Sequence, residues 1–304
     1  MDSSTEHLKN LQIPKLNILK ERVASQCVCC GCNRLTSSPA VLMPFVAHRI
    51  FNWRPVQISD DWGLNTINKG FAYSICNSLL CTECDFLFLD IRFSDEELKK
   101  LYQNYRDKVY NLLREEYEPG YTKRNEDLNS GINYLNDIES FIASYITFPV
   151  TILDWGGDTG KNTPFKNNND LLHIYDIGGK DAISGAMRVD KTEVFNNKYS
   201  LVVCCNVLEH VPYPMDVLED ISKTMNQKSL LYIEVPFEDI FIKYKNNFHI
   251  HKKHWHEHIN FFSEKSIKTL ITKAGFNVLN LKRHFVTSGG KSSHILQIAC
   301  KLTC

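Results

Sequence analysis

The spacing of apolar and polar residues divides the chain into a helical stretch and a later stretch of strands. From Ser94 to about Tyr145, apolar residues recur at the spacing of a helix with one buried face. Residues 94–97, SDEE, have the form of an N-cap followed by an acidic first turn. Residues 114–131 are polar and contain Pro and Gly, which predicts a loop, and helical spacing resumes over residues 132–146.

The pattern changes to that of a strand at Val150. The run VTILDW predicts a buried strand, and it leads into a turn that contains Gly156, Gly157 and Gly160. A strand that feeds a glycine-rich turn and then a helix lets a ligand approach the backbone closely, so we expect a helix after this turn. The next apolar run, LLHIYD, ends at Asp176, where an acid is placed to bind ribose hydroxyls.

The composition is that of an ordinary globular protein. Apolar residues make up 43% of the 304 residues and charged residues 23%, and the formal net charge is zero. A dominant phosphate-binding face is therefore not required. The first ten residues are polar and unlike a signal peptide, and no run of about 18 apolar residues is present. We therefore expect a cytoplasmic protein whose 11 cysteines are reduced thiols or metal ligands.

Seven of the eleven cysteines fall between residues 27 and 84, and all of them except Cys76 stand at C-x-x-C spacing. Two such pairs can bring four thiolates to one tetrahedral zinc ion, which would be structural because no coordination position stays open. The predicted ligands are Cys27, Cys30, Cys81 and Cys84. Gly31 favours this register because glycine permits the tight turn after the second cysteine. Cys29 with Cys32 is the competing first pair, and scattered buried thiols or a redox pair are the alternatives without zinc.

The glycine-rich turn carries a further signal of its ligand. Its sequence, DWGGDTG, is neither G-x-G-x-x-G nor G-x-x-x-x-G-K-[ST], which argues against dinucleotide and P-loop binding. The turn resembles motif I of class I S-adenosylmethionine-dependent methyltransferases, in which D/E-x-G-x-G-x-G is usual. Gly156 and Gly160 fit two of those glycines, and Asp158 stands at the middle position.

The resemblance continues over residues 150–304. Residues 199–221 resemble the fourth strand, the N-x-L-E-H-V motif and the helix after it, and residues 229–236 resemble the fifth strand. Residues 256–281 resemble the late H-E-H…F-F-S…GF segment. These motifs and the paired cysteines together make the chain most similar to sugar C-methyltransferases of surface-polysaccharide or deoxysugar pathways. Those enzymes have an N-terminal zinc-binding domain.

This resemblance implies a fold class and a division of the chain. The fold is α/β, with a Rossmann-like seven-stranded class I methyltransferase domain after a small zinc-knuckle domain and connecting helices. The last strands form an antiparallel hairpin built from residues 276–283 and 294–301. We expect a zinc-binding domain at 1–93, a connecting helical segment at 94–146 that can lie over a cleft, and the S-adenosylmethionine-binding domain at 147–304.

The resemblance also assigns cofactor contacts. The turn would hold the methionine end of the cofactor, Asp154 its ammonium and Asp176 its ribose. Asp190 follows the expected third strand, where it can reach adenine or be a surface acid. The full set of expected cofactor-binding residues is Asp154, Gly156, Gly157, Gly160, Asp176, Asp190 and Asn206.

A run of five histidines within ten residues, 249–258, raises the question of a catalytic base. Methyl transfer to a hydroxyl or a carbon acid needs a group that accepts a proton, and histidine titrates near neutral pH. The resemblance places four residues against the substrate: His258, His210, Glu257 and His256. His258 is the leading base, and His210 is the second candidate or a helix cap. Glu257 is either a group that orients a histidine or a surface charge.

The other histidines of the run are expected to do something else. His249, His251 and His254 are interleaved with lysines, so they predict a basic lip for a substrate anion or a solvated loop. A second metal ion at the run is the weaker alternative, because no carboxylate-rich partner set accompanies it. Trp255, Phe261 and Phe262 are expected to anchor the segment that contains His258.

The predicted function is methyl transfer from S-adenosylmethionine to a small polar acceptor, a sugar or a nucleotide-linked sugar, on oxygen or carbon. The predicted cofactors are S-adenosylmethionine and a structural zinc ion, and neither a membrane nor a nucleic acid is an expected partner. The alternatives are an RNA or protein methyltransferase, a zinc-knuckle nucleic-acid-binding protein and a non-catalytic cofactor-binding protein. A closed pocket favours the small acceptor, whereas an extended charged groove favours a macromolecule.

Overall fold

The N-terminal part of the chain forms a small sheet with one helix. The structure, a computed structural model, describes residues 18–58, 70–129, 131–288 and 291–303. The first elements are β1 (Leu35–Leu42), α1 (Pro44–Phe51), β2 (Val56–Ile58), β3 (Gly70–Ala72), β4 (Ser74–Cys81) and β5 (Leu87–Leu89). Strands β1, β4 and β5 pair antiparallel in one sheet, and β2 pairs with β3 in a separate two-stranded sheet.

A layer of short helices follows. Its elements are α2 (Asp95–Tyr102), α3 (Lys108–Tyr117), α4 (Tyr121–Asn129) and α5 (Leu135–Ile142), with a 3-10 turn at Ala143–Tyr145. The N-cap predicted at Ser94 is present, because Ser94 and Glu97 form a reciprocal capping box. The loop predicted at 114–131 is wrong over most of its length. Helix α3 continues to Tyr117, and α4 follows at once because Tyr121 is buried against Tyr110.

The remaining elements alternate strands and helices. They are β6 (Val150–Trp155), β7 (Asn169–Tyr175), β8 (Met187–Arg188), α6 (Lys191–Asn196), β9 (Leu201–Cys205), α7 (Pro214–Ser222), β10 (Leu230–Phe237), α8 (Ile240–Lys243), α9 (Phe248–His251), β11 (His254–Trp255), β12 (Asn260–Phe261), α10 (Glu264–Lys273), β13 (Phe276–Ser288) and β14 (Lys291–Leu302). The strands predicted at 150–155, 171–176, 199–205 and 229–236 are all present.

The larger sheet has the order β13-β14-β10-β9-β6-β7-β8 in the described part of the chain. Strands β6, β7, β8, β9 and β10 are parallel, and β14 pairs antiparallel with β10 and with β13. The expected α/β sheet with a terminal antiparallel hairpin is therefore present. Strand order reverses between β6 and β9, which is the point where open parallel sheets bind ligands beyond the carboxyl ends of their strands.

The helix expected after the glycine-rich turn is absent. Residues 156–168 form successive turns, and the next element is β7. Pro164 lacks an amide hydrogen, and the three asparagines at residues 167–169 favour turns over helix. Thr163 instead donates its hydroxyl hydrogen to Asp154 at the end of β6. The turn is therefore closed by side-chain contacts rather than by helical hydrogen bonds.

The two sheets interlock through the late segment. The smaller sheet has the order β11-β1-β4-β5-β12, and both of its edge strands come from residues 254–261. Strand β11 runs parallel to β1, and β12 runs antiparallel to β5. The four residues between β11 and β12, His256 to Ile259, therefore connect one edge of the sheet to the other. A division of the chain at residue 147 does not separate the two sheets.

The buried core is continuous from the cysteine region to the larger sheet. Cys27 and Phe86 belong to the same buried cluster as Leu218 and Ile271. Trp255 is fully buried, and its indole nitrogen donates to Ser78 Oγ at 2.8 Å. In the described ranges, no helix has both the length and the apolar character needed to span a bilayer.

Candidate functional site

A cavity of about 1240 Å³ opens beyond the carboxyl ends of β6, β7, β9 and β10. The helical layer faces these strand ends with Tyr102, Tyr105 and Arg106. Most of the predicted site residues line this cavity: Asp154, Gly156, Gly157, Asp176, Asn206, His210, Glu257 and His258. Gly160, Asp190 and His256 are not part of its lining. The structure therefore brings the expected cofactor and catalytic groups into one space.

The backbone of the glycine-rich turn is tightly enclosed. Gly156 has φ +82°, and a Cβ atom there would lie 2.3 Å from Val207 Cγ2. A Cβ atom at Gly157 would lie 2.4 Å from Asp154 Cγ, so a side chain would displace that carboxylate. Asp158 has φ +52°, which is the left-handed conformation that glycine adopts at low cost. The turn therefore presents its main chain to a ligand.

Asp154 is a buried carboxylate at the end of β6. It is 5% exposed and accepts a hydrogen bond from the Thr163 hydroxyl. Burial raises the pKa of Asp154 to about 7, and the charge of Asp176 acts in the same direction, whereas the Thr163 hydrogen bond lowers it. A cation next to Asp154 would stabilise its ionised form, and the ammonium group of an amino acid is such a cation.

Asp176 connects the turns that follow β6 and β7. Its carboxylate accepts from the amide of Gly178 at 2.6 Å and from the amide of Asp158 at 3.0 Å. Asn206, after β9, has φ +53°, and its amide nitrogen donates to Glu234 Oε1 at 3.4 Å. Asp190 is exposed and caps α6 by accepting from the amide of Glu193, so it has a structural contact outside the cavity.

These features fit the methionine and ribose parts of S-adenosylmethionine. The turn offers main-chain groups with no side chain in the way, Asp154 offers a carboxylate that benefits from an ammonium, and Asp176 stands at the tip of the neighbouring strand. The missing helix after the turn removes one source of amide donors at a helix N-terminus. The fit therefore rests on the turn and the two carboxylates.

The two candidate bases lie side by side. The rings of His210 and His258 are 4.7 Å apart at 80°. His258 Nδ1 lies 3.1 Å from Glu238 Oε1. Burial disfavours the protonated form of His258, but the Glu238 hydrogen bond and nearby carboxylates outweigh it and raise the pKa of His258. Burial, reinforced by His258, lowers the pKa of His210 to about 3, so His210 is neutral.

His210 is held by two further contacts. Its Nδ1 atom lies 2.8 Å from the Tyr102 hydroxyl oxygen and 3.1 Å from the carbonyl oxygen of Glu257. The neighbouring Glu209 is 1% exposed, and burial raises the pKa of Glu209 to about 7. The contact with Tyr102 joins the helical layer to the end of β9.

The contacts of Glu257 and His256 favour a structural role over a direct catalytic one. Arg114 Nη1 donates to Glu257 Oε1 at 2.9 Å, and Arg114 Nε donates to Glu118 Oε2 at 3.1 Å. Burial alone would raise the pKa of Glu257, but Arg114 and the two neighbouring histidines together outweigh burial and lower it. His256 Nδ1 lies 3.6 Å from Glu118 Oε1, outside the cavity lining. Glu257 and His256 thus connect the late segment to α3 and the residue after it.

Several residues of the site were not predicted as functional. Glu238 directly follows the fifth strand, where an acid at a strand tip was a usable signal. Glu209 lies inside the N-x-L-E-H-V motif itself. Arg114 had no usable signal, because its segment was expected to be a loop and its partner Glu257 lies 143 residues away.

Of the other histidines of the run, His249 is buried, whereas His251 and His254 are exposed. His249 is 6% exposed, and its Nδ1 lies 3.5 Å from Thr36 Oγ1. His251 stacks on Tyr244 with ring centroids 3.6 Å apart. Lys252 lies 4.2 Å from the centroid of the Phe261 ring. The expectation of a basic lip or a solvated loop is therefore wrong for His249, which is buried against β1. Neither His249 nor His251 lines the cavity.

The cysteines form a buried cluster on the smaller sheet. Cys27 Sγ is 3.7 Å from Cys84 Sγ, and Cys30 Sγ is 3.6 Å from Cys81 Sγ. All four sulfur atoms lie within 4.8 Å of one another. Gly31, with φ +75°, makes the turn in which its amide donates to the Cys27 carbonyl. The competing residues lie elsewhere, because Cys29 donates to the Ser266 carbonyl and Cys32 accepts from the Arg34 amide.

Comparisons with known proteins point in one direction. Residues 98–281, more than half of the chain, match the family described as "Methyltransferase domain". No curated protein matches the chain. The chain is similar to the solved structure of Burkholderia thailandensis 1,6-didemethyltoxoflavin-N1-methyltransferase with bound 1,6-didemethyltoxoflavin and S-adenosylhomocysteine, at 15% identity and a TM-score of 0.47 over 65% of this chain and 90% of that chain.

Two further solved structures show the same likeness. One is a SAM-dependent methyltransferase from Methanosarcina mazei, with 15% identity and a TM-score of 0.40 over 54% of this chain and 97% of that chain. The other is the glycopeptide N-methyltransferase MtfA, with 8% identity and a TM-score of 0.43 over 56% of this chain and 91% of that chain.

Proposed function

The chain belongs to the methyltransferase domain family and is an S-adenosylmethionine-dependent methyltransferase, and we propose that its acceptor is a small polar molecule, a sugar or a nucleotide-linked sugar. The observation that carries this proposal is the placement of the His258–Glu238 pair in the same cavity as the glycine-rich turn. Methylation of oxygen and of carbon both remain within the proposal, because each needs a proton acceptor at the reacting atom.

The chain's own residues would handle the proton. Bound S-adenosylmethionine supplies a methyl group on a positively charged sulfur. Glu238 accepts from His258 Nδ1–H and so fixes the tautomer that leaves the Nε2 lone pair free. His258 Nε2 then takes the proton from the acceptor's hydroxyl or acidic carbon as the new bond to the methyl carbon forms. The cofactor would supply the methyl carbon, and its sulfur would keep the electron pair of the carbon–sulfur bond.

The size and chemistry of the cavity support a small acceptor. Its volume of about 1240 Å³ exceeds the ~300–1,000 Å³ of a typical single-ligand pocket, so it has room for a cofactor and an acceptor together. Its lining combines tyrosines with carboxylates such as Glu234 and Glu238. Carboxylate oxygens accept hydrogen bonds from hydroxyl groups, which a sugar offers in number. This lining supports a polyhydroxylated acceptor over an apolar one.

The proposal includes a structural zinc ion at Cys27, Cys30, Cys81 and Cys84. A zinc–sulfur distance of about 2.3 Å in a tetrahedron places the sulfur atoms roughly 3.8 Å apart. The observed separations of 3.6 and 3.7 Å agree with that value, and the four residues are at least 93% buried. The ion would hold together the smaller sheet, which carries both ends of the His256–Ile259 segment.

The experiment that tests the acceptor proposal uses the purified protein with S-adenosylmethionine and a panel of nucleotide-linked sugars, free sugars, peptides and RNA. Mass spectrometry of every compound in the panel would detect the added methylene mass. We expect methylation of at least one sugar-linked compound and S-adenosylhomocysteine formed in equal amount. Methylation of peptide or RNA alone would contradict the proposed acceptor class.

A further inference from the structure

Glu209 is a buried carboxylate without a hydrogen-bond donor. It is 1% exposed, and neither of its carboxylate oxygens has a hydrogen-bond partner in the described part of the chain. Its position is imposed by the backbone, because the Glu209 carbonyl accepts from the amides of Ile259 and Asn260. A buried carboxylate without a partner is costly. The proposed reaction gives this group no role, so its placement needs another explanation.

One ring nitrogen of His210 and one of His258 lie near the Glu209 carboxylate. His210 Nδ1 is engaged by the Tyr102 hydroxyl and the Glu257 carbonyl, and His210 Nε2 lies 3.8 Å from Glu209 Oε1. His258 Nδ1 is engaged by Glu238, which leaves Nε2 as its free nitrogen. One nitrogen of each ring and one Glu209 oxygen lie within 4.8 Å of one another. Three possible ligand atoms thus lie close together, and the two oxygens of Glu209 have no hydrogen-bond partner among the described residues.

This arrangement is the one that metal-binding histidines require. A histidine ligand usually donates its second ring N–H to a carboxylate or a carbonyl, which fixes the ring and its tautomer. Here Glu238 serves His258 in that way, and the Glu257 carbonyl serves His210. Two histidines and one carboxylate are a ligand set for Zn²⁺ and for other first-row divalent ions.

We propose that Glu209, His210 and His258 form a second metal site, which binds a divalent transition-metal ion inside the cavity. Metal–ligand distances of about 2.0–2.2 Å bring ligand atoms to roughly 3–3.5 Å from one another. The side chains would therefore move together by about one ångström from their present separations. The remaining coordination positions face the cavity, where water or an acceptor oxygen can bind.

Occupation of this site regulates methyl transfer. A metal ion bound to His258 Nε2 uses the lone pair that the proposed base needs, so the metal-bound enzyme is inactive. This consequence rests on the proposed function, whereas metal binding itself does not. The two can therefore be tested by separate readouts, one spectroscopic and one kinetic.

The spectroscopic test titrates Co²⁺ into the full-length protein whose cysteine cluster is already filled with Zn²⁺. We expect one further equivalent to bind, with visible d–d absorption and without the thiolate charge-transfer band of a cysteine site. Glu209→Gln should bind this equivalent at least tenfold more weakly, and Glu238→Gln about 10–100-fold more weakly. His251→Ala is the matched control, because His251 lies in the same histidine run but stacks on Tyr244 outside the cavity.

Three results would overturn the metal site: no further equivalent, only cysteine-type absorption, or equal binding by the Glu209→Gln variant. Thermal melting establishes that the variants are folded, and His210→Asn provides a second ligand variant. In the kinetic test, Zn²⁺ should inhibit methyl transfer by the wild-type protein in parallel with occupancy of the site. Binding without inhibition would leave the metal site in place and would contradict His258 as the base.

Discussion

Asp154 gives cofactor binding a dependence on pH. Its pKa is raised to about 7, so the carboxylate is mostly protonated below that pH. Binding of the cofactor's ammonium favours the ionised form, so affinity should increase as the pH rises through 7. From pH 5.5 to pH 7 the ionised fraction, and with it the affinity for S-adenosylhomocysteine, should increase roughly tenfold. Isothermal titration calorimetry at several pH values measures this dependence.

Two controls separate Asp154 from other titrating groups. Asp154→Asn should bind S-adenosylhomocysteine more weakly and with little dependence on pH. 5′-Methylthioadenosine lacks the ammonium group, so its affinity for the wild-type protein should change little over the same range. An unchanged pH dependence in the Asn variant would show that another group is responsible.

Gly157 tests the fit of the turn to a ligand. In Gly157→Ala, the new Cβ atom would approach Asp154 Cγ to 2.4 Å and displace the carboxylate. We expect at least a tenfold loss of S-adenosylhomocysteine affinity, or about 1.4 kcal/mol, in a folded protein. Gly185→Ala is the control for a glycine substitution with open space around it, and the positive φ of Gly185, +85°, adds a backbone strain that Gly157 does not have. Equal losses in both variants would contradict displacement of the Asp154 carboxylate as the cause.

At the scale of elements, the smaller sheet positions the segment that contains His258, the proposed base. Strands β11 and β12 hold residues 256–259 at both ends, and Trp255, Phe261 and Phe262 are buried there as the sequence predicts. The cofactor residues lie on the larger sheet. Loss of the proposed zinc ion at the cysteine cluster should therefore damage catalysis more than cofactor binding.

Cys81→Ser measures this difference. We expect turnover to fall by a larger factor than the affinity for S-adenosylhomocysteine, because the variant loosens the sheet that carries both ends of the His258 segment. Cys32→Ala is the matched control, since Cys32 lies outside the four-sulfur cluster. Metal content by mass spectrometry, turnover and calorimetry are measured on each variant. Equal losses of turnover and affinity in Cys81→Ser would contradict a positioning role for the sheet.

Local sequence signals predicted some elements and missed others for identifiable reasons. The cap at Ser94 and the strand from Val150 follow from nearby residues, and both are present. Helix α4 was missed because its stability comes from tertiary contacts such as Tyr121 with Tyr110 and Arg114. The helix expected after Gly160 does not form because Pro164 and the asparagines after it favour turns. Tertiary packing therefore forms the helix that was missed, and turn-forming residues prevent the helix that was expected.

At the scale of the whole molecule, the active cavity is assembled from distant parts of the chain. The order of the strands in the larger sheet can be predicted from a family resemblance, because its motifs lie within residues 150–302. The pairing of Val41 with His254 and of Leu87 with Phe261 joins segments more than 170 residues apart. No local pattern encodes such pairing. Such long-range pairing explains why the Arg114–Glu257 ion pair was not predicted, whereas Glu238 was missed although its place after the fifth strand was a usable signal.

The most direct test of the central claim is methyl-transfer turnover by His258→Asn, with S-adenosylhomocysteine affinity measured in parallel. The account predicts a loss of turnover of about a hundredfold or more, while cofactor affinity stays close to that of the wild-type protein. His251→Ala, from the same histidine run but outside the cavity, should retain wild-type turnover. Full turnover in His258→Asn, or an equal loss in His251→Ala, would contradict His258 as the proton acceptor.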